Sequence, residues 1–282
     1  MSPHSWPTML GMAAVSPASR LVTDAAREVL RPLGLRRLGR SRTWVDDHGW
    51  WLGVVEFQPS SWSQGSYLNV GAMWLWDNTD HVAFHTGGRE AGHEPFRSEA
   101  QFQPLAMDLA RLAADRVTEY RERFSSLRNA ARHLTATPAR RGHPWDDHHA
   151  GITAGLTGDV PTARDRLTRA ARQLAAEDIP WMVDAHRATL RLRDLVDDTG
   201  ALRSWAAEQI ASCRHKLRLE PRPTAFPEDT PGAAQDLEPQ PQPWPQPSSP
   251  PGPRTSRAAR PSVPSPTPSS GRCRGSATGS GS

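Results

Sequence analysis

The chain has 282 residues, a formal net charge of +4, 33 arginines against a single lysine at Lys216, and two cysteines. A P-loop, a kinase lysine or a Schiff-base lysine would have to be Lys216, before which no glycine-rich phosphate loop stands, so these classes are discounted, and two distant cysteines give no disulfide framework or thiolate zinc site. The charge divides evenly, +2 over residues 1–220 and +2 over residues 221–282, so the body lacks the field of a phosphate-backbone binder and nucleic acid is not the expected partner.

Residues 1–15 read as a flexible N-terminus, with no basic region leading into a sustained apolar run. Ser16 then Pro17 form an N-cap and first helical position, and Leu21, Val22, Ala25, Val29 and Leu30 recur at helical spacing, with Gly34 as the stop. Strand character follows at Leu38 to Val45, Trp50 to Gln58 and Tyr67 to Trp76, and more weakly at Val82 to Thr86. Asp46, Asp47, His48 and Gly49 supply the turn of a hairpin between the first two strands. In the third, Leu68, Val70, Ala72, Trp74 and Trp76 alternate with their neighbours, so one face is apolar. Gly87 to Ala100 reads as a polar loop, after which Pro104 opens one long helix carrying Leu105, Leu109, Leu112, Val117, Tyr120, Phe124, Leu127 and Leu134 on a stripe.

Pro138 to Pro144 breaks the chain before a second helical region, residues 145–220. There Gly151 and Gly155 permit close helix contact and Gly158-Asp159 stops one helix and caps the next, as in a tetratricopeptide-type hairpin without a second repeat. Two more helices follow, near Pro180 to Val196 and Ala201 to Leu217. Residues 221–282 hold 16 of the 27 prolines, and their low apolar content predicts a disordered Pro/Ser/Gly-rich tail. The fold class expected is α+β: an antiparallel sheet of about four strands flanked by helices over residues 16–137, then the helical region. No segment approaches the ~20 apolar residues of a membrane span, and cytoplasmic residence is the expectation.

Leu33-Gly34-Leu35-Arg36-Arg37, Trp44, Val54-Val55-Glu56-Phe57-Gln58, Ser60-Ser61-Trp62 and Tyr67-Leu68-Asn69-Val70-Gly71 follow one another in an order that resembles the bacterial domain-of-unknown-function family numbered 4304. The resemblance covers about residues 18–135. It implies the boundaries of the α+β part and transfers no activity or catalytic residue.

Several residue groups have the types that chemistry needs. Arg36, Arg40, Arg42 and Trp44 would share one face of a regular first strand and could receive an anion. Six tryptophans crowd the sheet region, and Trp50 and Trp51, as neighbours on a strand, point to opposite faces. Trp44, Trp50 and Trp62, with the three arginines, are therefore the expected partner-facing surface. His143, Asp146, Asp147, His148 and His149 have metal-ligand types. Their spacing argues for helix capping, since His148 and His149 lie about 100° apart on a helix and at best one would join Asp146 or His143. His81 and His85, four residues apart on a strand, would be about 13 Å apart and cannot share an ion. Ser60, Ser61 and Ser63 lack a nucleophile elbow and read as a loop that hydrogen-bonds itself. Cys213 shares a helical face with Leu202, Ala206, Ile210 and Leu217 and reads as an inert buried thiol.

No catalytic constellation rises above its structural explanation, so the leading expectation is a non-catalytic protein-binding module, of the immunity type. No cofactor or metal is expected and the partner is another protein. The alternatives are a metal-dependent hydrolase and a nucleic-acid accessory protein.

Overall fold

The computed structural model describes residues 16–176, 179–224 and 226. Expectations for residues 1–15, and for the tail from residue 227 with Trp244 and Cys273, fall outside that range. Helix α1 (Pro17–Leu30) starts where the sequence places it, with Ser16 Oγ accepting from the Ser19 N–H at 3.2 Å. Five strands follow: β1 (Arg36–Arg37), β2 (Thr43–Asp47), β3 (Trp51–Gln58), β4 (Gly65–Trp74) and β5 (Thr86–Pro95). They pair in sequence order as an antiparallel meander, with Val45 opposite Val54 and Trp51 opposite Trp74. Nearly every side chain of β3 and β4 is buried, so both faces of the central strands are covered. The class is α+β, as expected.

Three boundaries differ from the sequence expectation. The fifth strand occupies the stretch read as a polar loop, while Val82 to Phe84 is irregular. Its half-exposed residues include Gly87, Gly88, Gly92 and Pro95, which disfavour a strand on propensity; pairing with β4 along a sheet edge overrides them. A Cβ at Gly87, where φ is +88°, would stand 2.4 Å from both Tyr120 Oη and the Val70 carbonyl oxygen, so the edge closes here only on glycine. The long helix, secondly, is two. Helix α2 (Glu99–Arg123) is capped by Ser98 and keeps Pro104 in its interior, and α3 (Leu127–Ala136) restarts on Ser126. The break at Phe124 turns that ring edge-on against Trp51 at 5.4 Å and Trp74 at 4.9 Å. Thirdly, the body continues past residue 220: Phe226 is buried in the core and Arg222 Nη1 reaches the Asp47 carbonyl.

Helices α1 and α2 pack together and on β3 and β4. The C-terminal helices α4 (Pro144–Leu156), α5 (Val160–Leu174), α6 (Pro180–Leu195) and α7 (Thr199–Lys216) form the helical region, each packing on the next in order or, for α7, also on α4. Every residue of α4 from Asp147 to Leu156 is buried. That is possible because Gly151 sits under Leu167 of α5 and Gly155 under Leu202 of α7. A Cβ at either glycine would come within 2.6 Å of the leucine. Asp159 caps α5 through the Thr162 N–H, and Gly158 has φ +85°, so the expected hairpin is present. No helix among the described residues is long and apolar enough to cross a membrane.

Two ion pairs, one half-buried and one buried, tie sheet to helix. Arg121 of α2 holds Asp46 at 2.7 and 2.9 Å and the Leu33 carbonyl at 2.6 Å. Arg214 of α7, 2% exposed, grips both oxygens of Asp47 at 2.8 and 2.9 Å and the Gly49 carbonyl at 3.0 Å.

Burial pushes the Asp46 carboxyl up, but hydrogen bonds from His48 and Arg121 outweigh it and hold the group at about 2. A carboxyl depressed on folding contributes stability that is complete above its unfolded value of about 3.9 and is lost as pH falls through the folded value. Denaturant titration at stepped pH should therefore show a loss of ~2 kcal/mol between about pH 4 and pH 2 that Asp46→Asn removes from the pH dependence. Gly151→Ala should destabilise by about 1–3 kcal/mol in the same assay through overpacking against Leu167.

Candidate metal centre

Strand β4 ends at Trp74, and Leu75–Asp77 makes one 3-10 turn closed by Asn78, whose φ is +55° and whose N–H donates to the Leu75 carbonyl. This turn carries Asp77 away from the strand and against the N-terminal half of α4. There Asp77, His148 and His149 each present one ligating atom, all within 4.8 Å of one another. Both imidazoles are buried, and the carboxylate is largely so.

The surrounding hydrogen bonds fix the proton on each ring. His85 Nδ1 accepts the Trp74 backbone N–H at 2.9 Å, so its proton lies on Nε2, which donates to Asp77 Oδ2 at 3.1 Å. His85 is thus a neutral ring that orients the carboxylate. Thr189 Oγ1 donates to the Ala185 carbonyl at 2.8 Å and so accepts from His148 Nδ1 at 3.0 Å, which places the His148 lone pair on Nε2. His149 Nδ1 accepts the Trp76 indole N–H at 3.4 Å. Seating an ion on His149 costs only this long bond, at the weak end of the range. The three rings also pack on one another, His85 on His149 at 4.6 Å and His148 edge-on to His149 at 5.4 Å between centroids.

Burial pushes His148 down to about 4, partly opposed by the Asp77 charge, and pushes His149 well below the ordinary histidine value. Asp77 is driven up by burial, yet the hydrogen bond from His85 leads the effects that outweigh this and hold it well below the usual carboxylate range. Neutral imidazoles beside an ionised carboxylate are the protonation states that coordination to a divalent cation requires.

A cavity of about 250 Å³ adjoins the cluster, with Trp74, His85, His133, Arg140, Trp145 and His149 in its wall. Its wall includes Trp74, whose buried indole N–H has no hydrogen-bond partner among the described residues. Arg140 at the rim is bound to Asp146 through two N–H···O bonds of 2.9 and 2.8 Å. A larger hollow of about 960 Å³ lies beyond Arg140, but the buried acid in its wall, Asp147, is already held by Arg166 and Gln173.

Of the five residues grouped around His148 in the sequence, the structure brings together only His148 and His149. They join neither Asp146 nor His143; both meet Asp77, because α4 enters the core with two sides covered. Asp146 serves Arg140 and Asp147 serves Arg166, each in an ion pair, and His143 is the N-cap residue of α4 without a capping bond. His81 is exposed beside Asp80, apart from His85. Asp77 was missed because an Asp-Asn pair after an apolar strand reads as turn chemistry and nothing more.

The expected partner-facing surface is not one surface. Arg36 lies exposed on β1, Arg40 and Arg42 belong to the turn between β1 and β2, and Trp44 is buried on β2, so they share no strand face. Trp50 is also buried, stacked on Trp74 and Trp76 at 5.8 and 5.6 Å. It precedes β3 instead of lying in it, which frees it from the alternation that would have sent it to the face opposite Trp51. Trp62 alone among these tryptophans is exposed, at 94%, on the β3–β4 loop. That loop does bond to itself, Ser60 Oγ accepting the Trp62 N–H at 3.1 Å.

Comparison of the chain with family models, curated proteins and solved structures gives no match.

Cys213 lies near the cluster without belonging to it. Its thiol is buried, donates to the Thr79 carbonyl at 3.5 Å, and is pushed up to about 11 by burial and by the Asp77 charge. In a Cys273→Ser variant, a thiol reagent should modify Cys213 only at the rate of unfolding, as followed by mass spectrometry with and without denaturant.

Proposed function

We propose that the protein is a metal-dependent hydrolase in which Asp77, His148 and His149 hold a divalent transition ion. The observation that carries this is their convergence within 4.8 Å next to a cavity, with the carboxylate kept ionised and the rings kept neutral by their surroundings. Three protein ligands leave a position for water, which is the composition of catalytic zinc sites as opposed to closed structural ones. An ion so held lowers the pKa of its water and polarises a carbonyl or phosphoryl oxygen. Nitrogen and carboxylate donors suit zinc, iron or manganese, with imidazole weighting the choice towards zinc. His85 acts through Asp77 as a positioning residue.

The test is metal content. Protein purified without chelator, or reconstituted with zinc, manganese or ferrous ion and desalted, should hold one equivalent and melt at higher temperature than the stripped form. Asp77→Asn and His148→Ala should each abolish retention while circular dichroism stays native. Substoichiometric metal after reconstitution with all three ions would overturn the assignment.

A second reading is favoured by Trp62. An almost wholly exposed tryptophan at a loop tip supports a protein-binding role, including an immunity-type one, at the end of the sheet away from the cluster. We also propose, on the ordered motifs from Leu33 to Gly71, that residues 18–135 belong to the domain-of-unknown-function family numbered 4304, an assignment that brings no activity with it.

A further inference from the structure

We infer that the surface around β1 binds a nucleic-acid duplex through its phosphate backbone. Two hollows, of about 570 and 400 Å³, meet at this strand and share Arg36 and Arg37 in their walls.

The charge of these walls is one-sided. Lys216 and Arg218, at the end of α7, stand in the first, and Arg27 and Arg31, at the end of α1, stand in the second. Against these six cations the two walls contain, among the described residues, one acid, Asp80, which His81 meets at 3.0 Å. Arg27 pairs with Asp24, and Arg36 lies 3.8 Å from Asp47, which Arg214 already holds. Arg37 and Lys216 donate to backbone carbonyls and meet no carboxylate. Arg31 and Arg218 are exposed and have no partner among the described residues. The net +2 of residues 1–220 is thus unevenly spread, and a concave surface lined by one sign of charge raises the local concentration of its counter-ion.

Keeping a bare sheet edge soluble would account for Arg36 and Arg37 alone. It does not account for Arg218. That residue follows the C-cap of α7 at φ +54°, its N–H donating to the His215 carbonyl at 3.1 Å and the next N–H, of Leu219, to the Arg214 carbonyl at 2.9 Å. Such a closing turn takes glycine by preference, because a Cβ is strained in the left-handed region. An arginine there keeps the strain and adds a charge to the wall of the hollow, as expected of a side chain held for what it binds.

The lining chooses among polyanions. Trp62, Phe84, Ile179 and Trp181, the exposed large hydrophobic residues of the described chain, lie in neither wall. Leu38, Val82 and Leu217, which do, are packed on the core. An acidic protein would find no aromatic or apolar centre on which to anchor, and an anionic membrane no side chain to insert. Trp44 is buried, so the bases of a single strand have no stacking platform. Positive charge spread over two adjoining hollows fits a duplex, whose phosphates recur at short intervals while its bases stay stacked inside.

Binding of a fluorescent DNA duplex of about 20 base pairs to the full chain, followed by anisotropy over a salt series, tests this. The plot of log K against log salt should have a slope of about −4 or steeper, at ~0.9 for each phosphate neutralised. Arg31→Ala and Arg218→Gly should each weaken binding about tenfold at ~0.1 M salt and make the slope shallower by ~1. Arg218→Gly should do so without lowering the melting temperature, since glycine relaxes the left-handed turn. Arg111→Ala, which removes an exposed cation outside both walls, should change neither affinity nor slope. A single strand of the same length, poly-glutamate and phosphatidylserine vesicles should all bind more weakly than the duplex. Equal or tighter binding of any of the three would overturn the inference in favour of that ligand. Undiminished binding by Arg31→Ala and Arg218→Gly would assign the contact to the arginines between Arg254 and Arg274, and would overturn it too, as would an affinity independent of salt or no binding at all.

Discussion

The grip of Arg214 on Asp47 spans 167 residues of sequence and decides where the last helix lies. A buried guanidinium is tolerated only when its donors are matched, and here the two oxygens of Asp47, the Gly49 carbonyl and the Glu220 carbonyl match them from the β2–β3 hairpin and the segment beyond α7. Such a pair contributes little net stability against an apolar replacement, but it punishes any docking in which one member is left alone. Helix α7 is thereby held in one register. From there Gln209 accepts the Asn78 side-chain amide, Lys216 reaches the Asn78 carbonyl and Cys213 the Thr79 carbonyl. The turn that carries Asp77 is thus clamped by α7 at Asn78 and Thr79.

Much of the sheet was legible because its determinants are local. Alternation in Leu68, Val70, Ala72 and Trp74, and the Asp-His-Gly turn before Trp50, specify paired strands with little help from the rest of the chain. Where tertiary contact decides, the signal vanishes. Thr86–Pro95 becomes a strand because β4 offers it an unpaired edge, against the preference of its glycines. The apolar stripe runs on from Tyr120 to Leu127 without interruption, so the break at Phe124 leaves no mark on the periodicity. Charged and aromatic residues near Arg36 looked like an exposed face only if the first strand were long and regular. In the structure its residues belong to two short strands and the turn between them.

The cluster was half legible. His148 and His149 carry the ligand chemistry in plain view, and helix geometry correctly separates them by about 100°. That separation excludes a shared partner on the same exposed face of a helix. It does not exclude one for a helix buried on several sides, where a carboxylate can approach along the axis from another element. The missing ligand comes from 71 residues earlier, on a turn whose composition announces only a turn. His85, set aside because His81 could not reach it, finds its partner in that same carboxylate.

Helix α4 has no solvent-facing stripe over its last ten residues, and its two glycines are each occupied from outside by a leucine of a different helix. Change at either contact is therefore shared. A larger residue at position 151 demands a smaller one at 167, and the same holds for 155 and 202, with both exchanges acting on the helix that carries His148 and His149. Sequence drift in this region must proceed by paired steps in which neither single intermediate packs well. The tip of the β3–β4 loop at Trp62, which is 94% exposed, can accept substitutions one at a time, since the loop's bonds to the rest of the sheet run through Ser63 to His93 and through the Gln64 carbonyl to the Phe96 N–H. The chain is thus divided between a part whose residues are free to diverge independently and a part that can only diverge in concert.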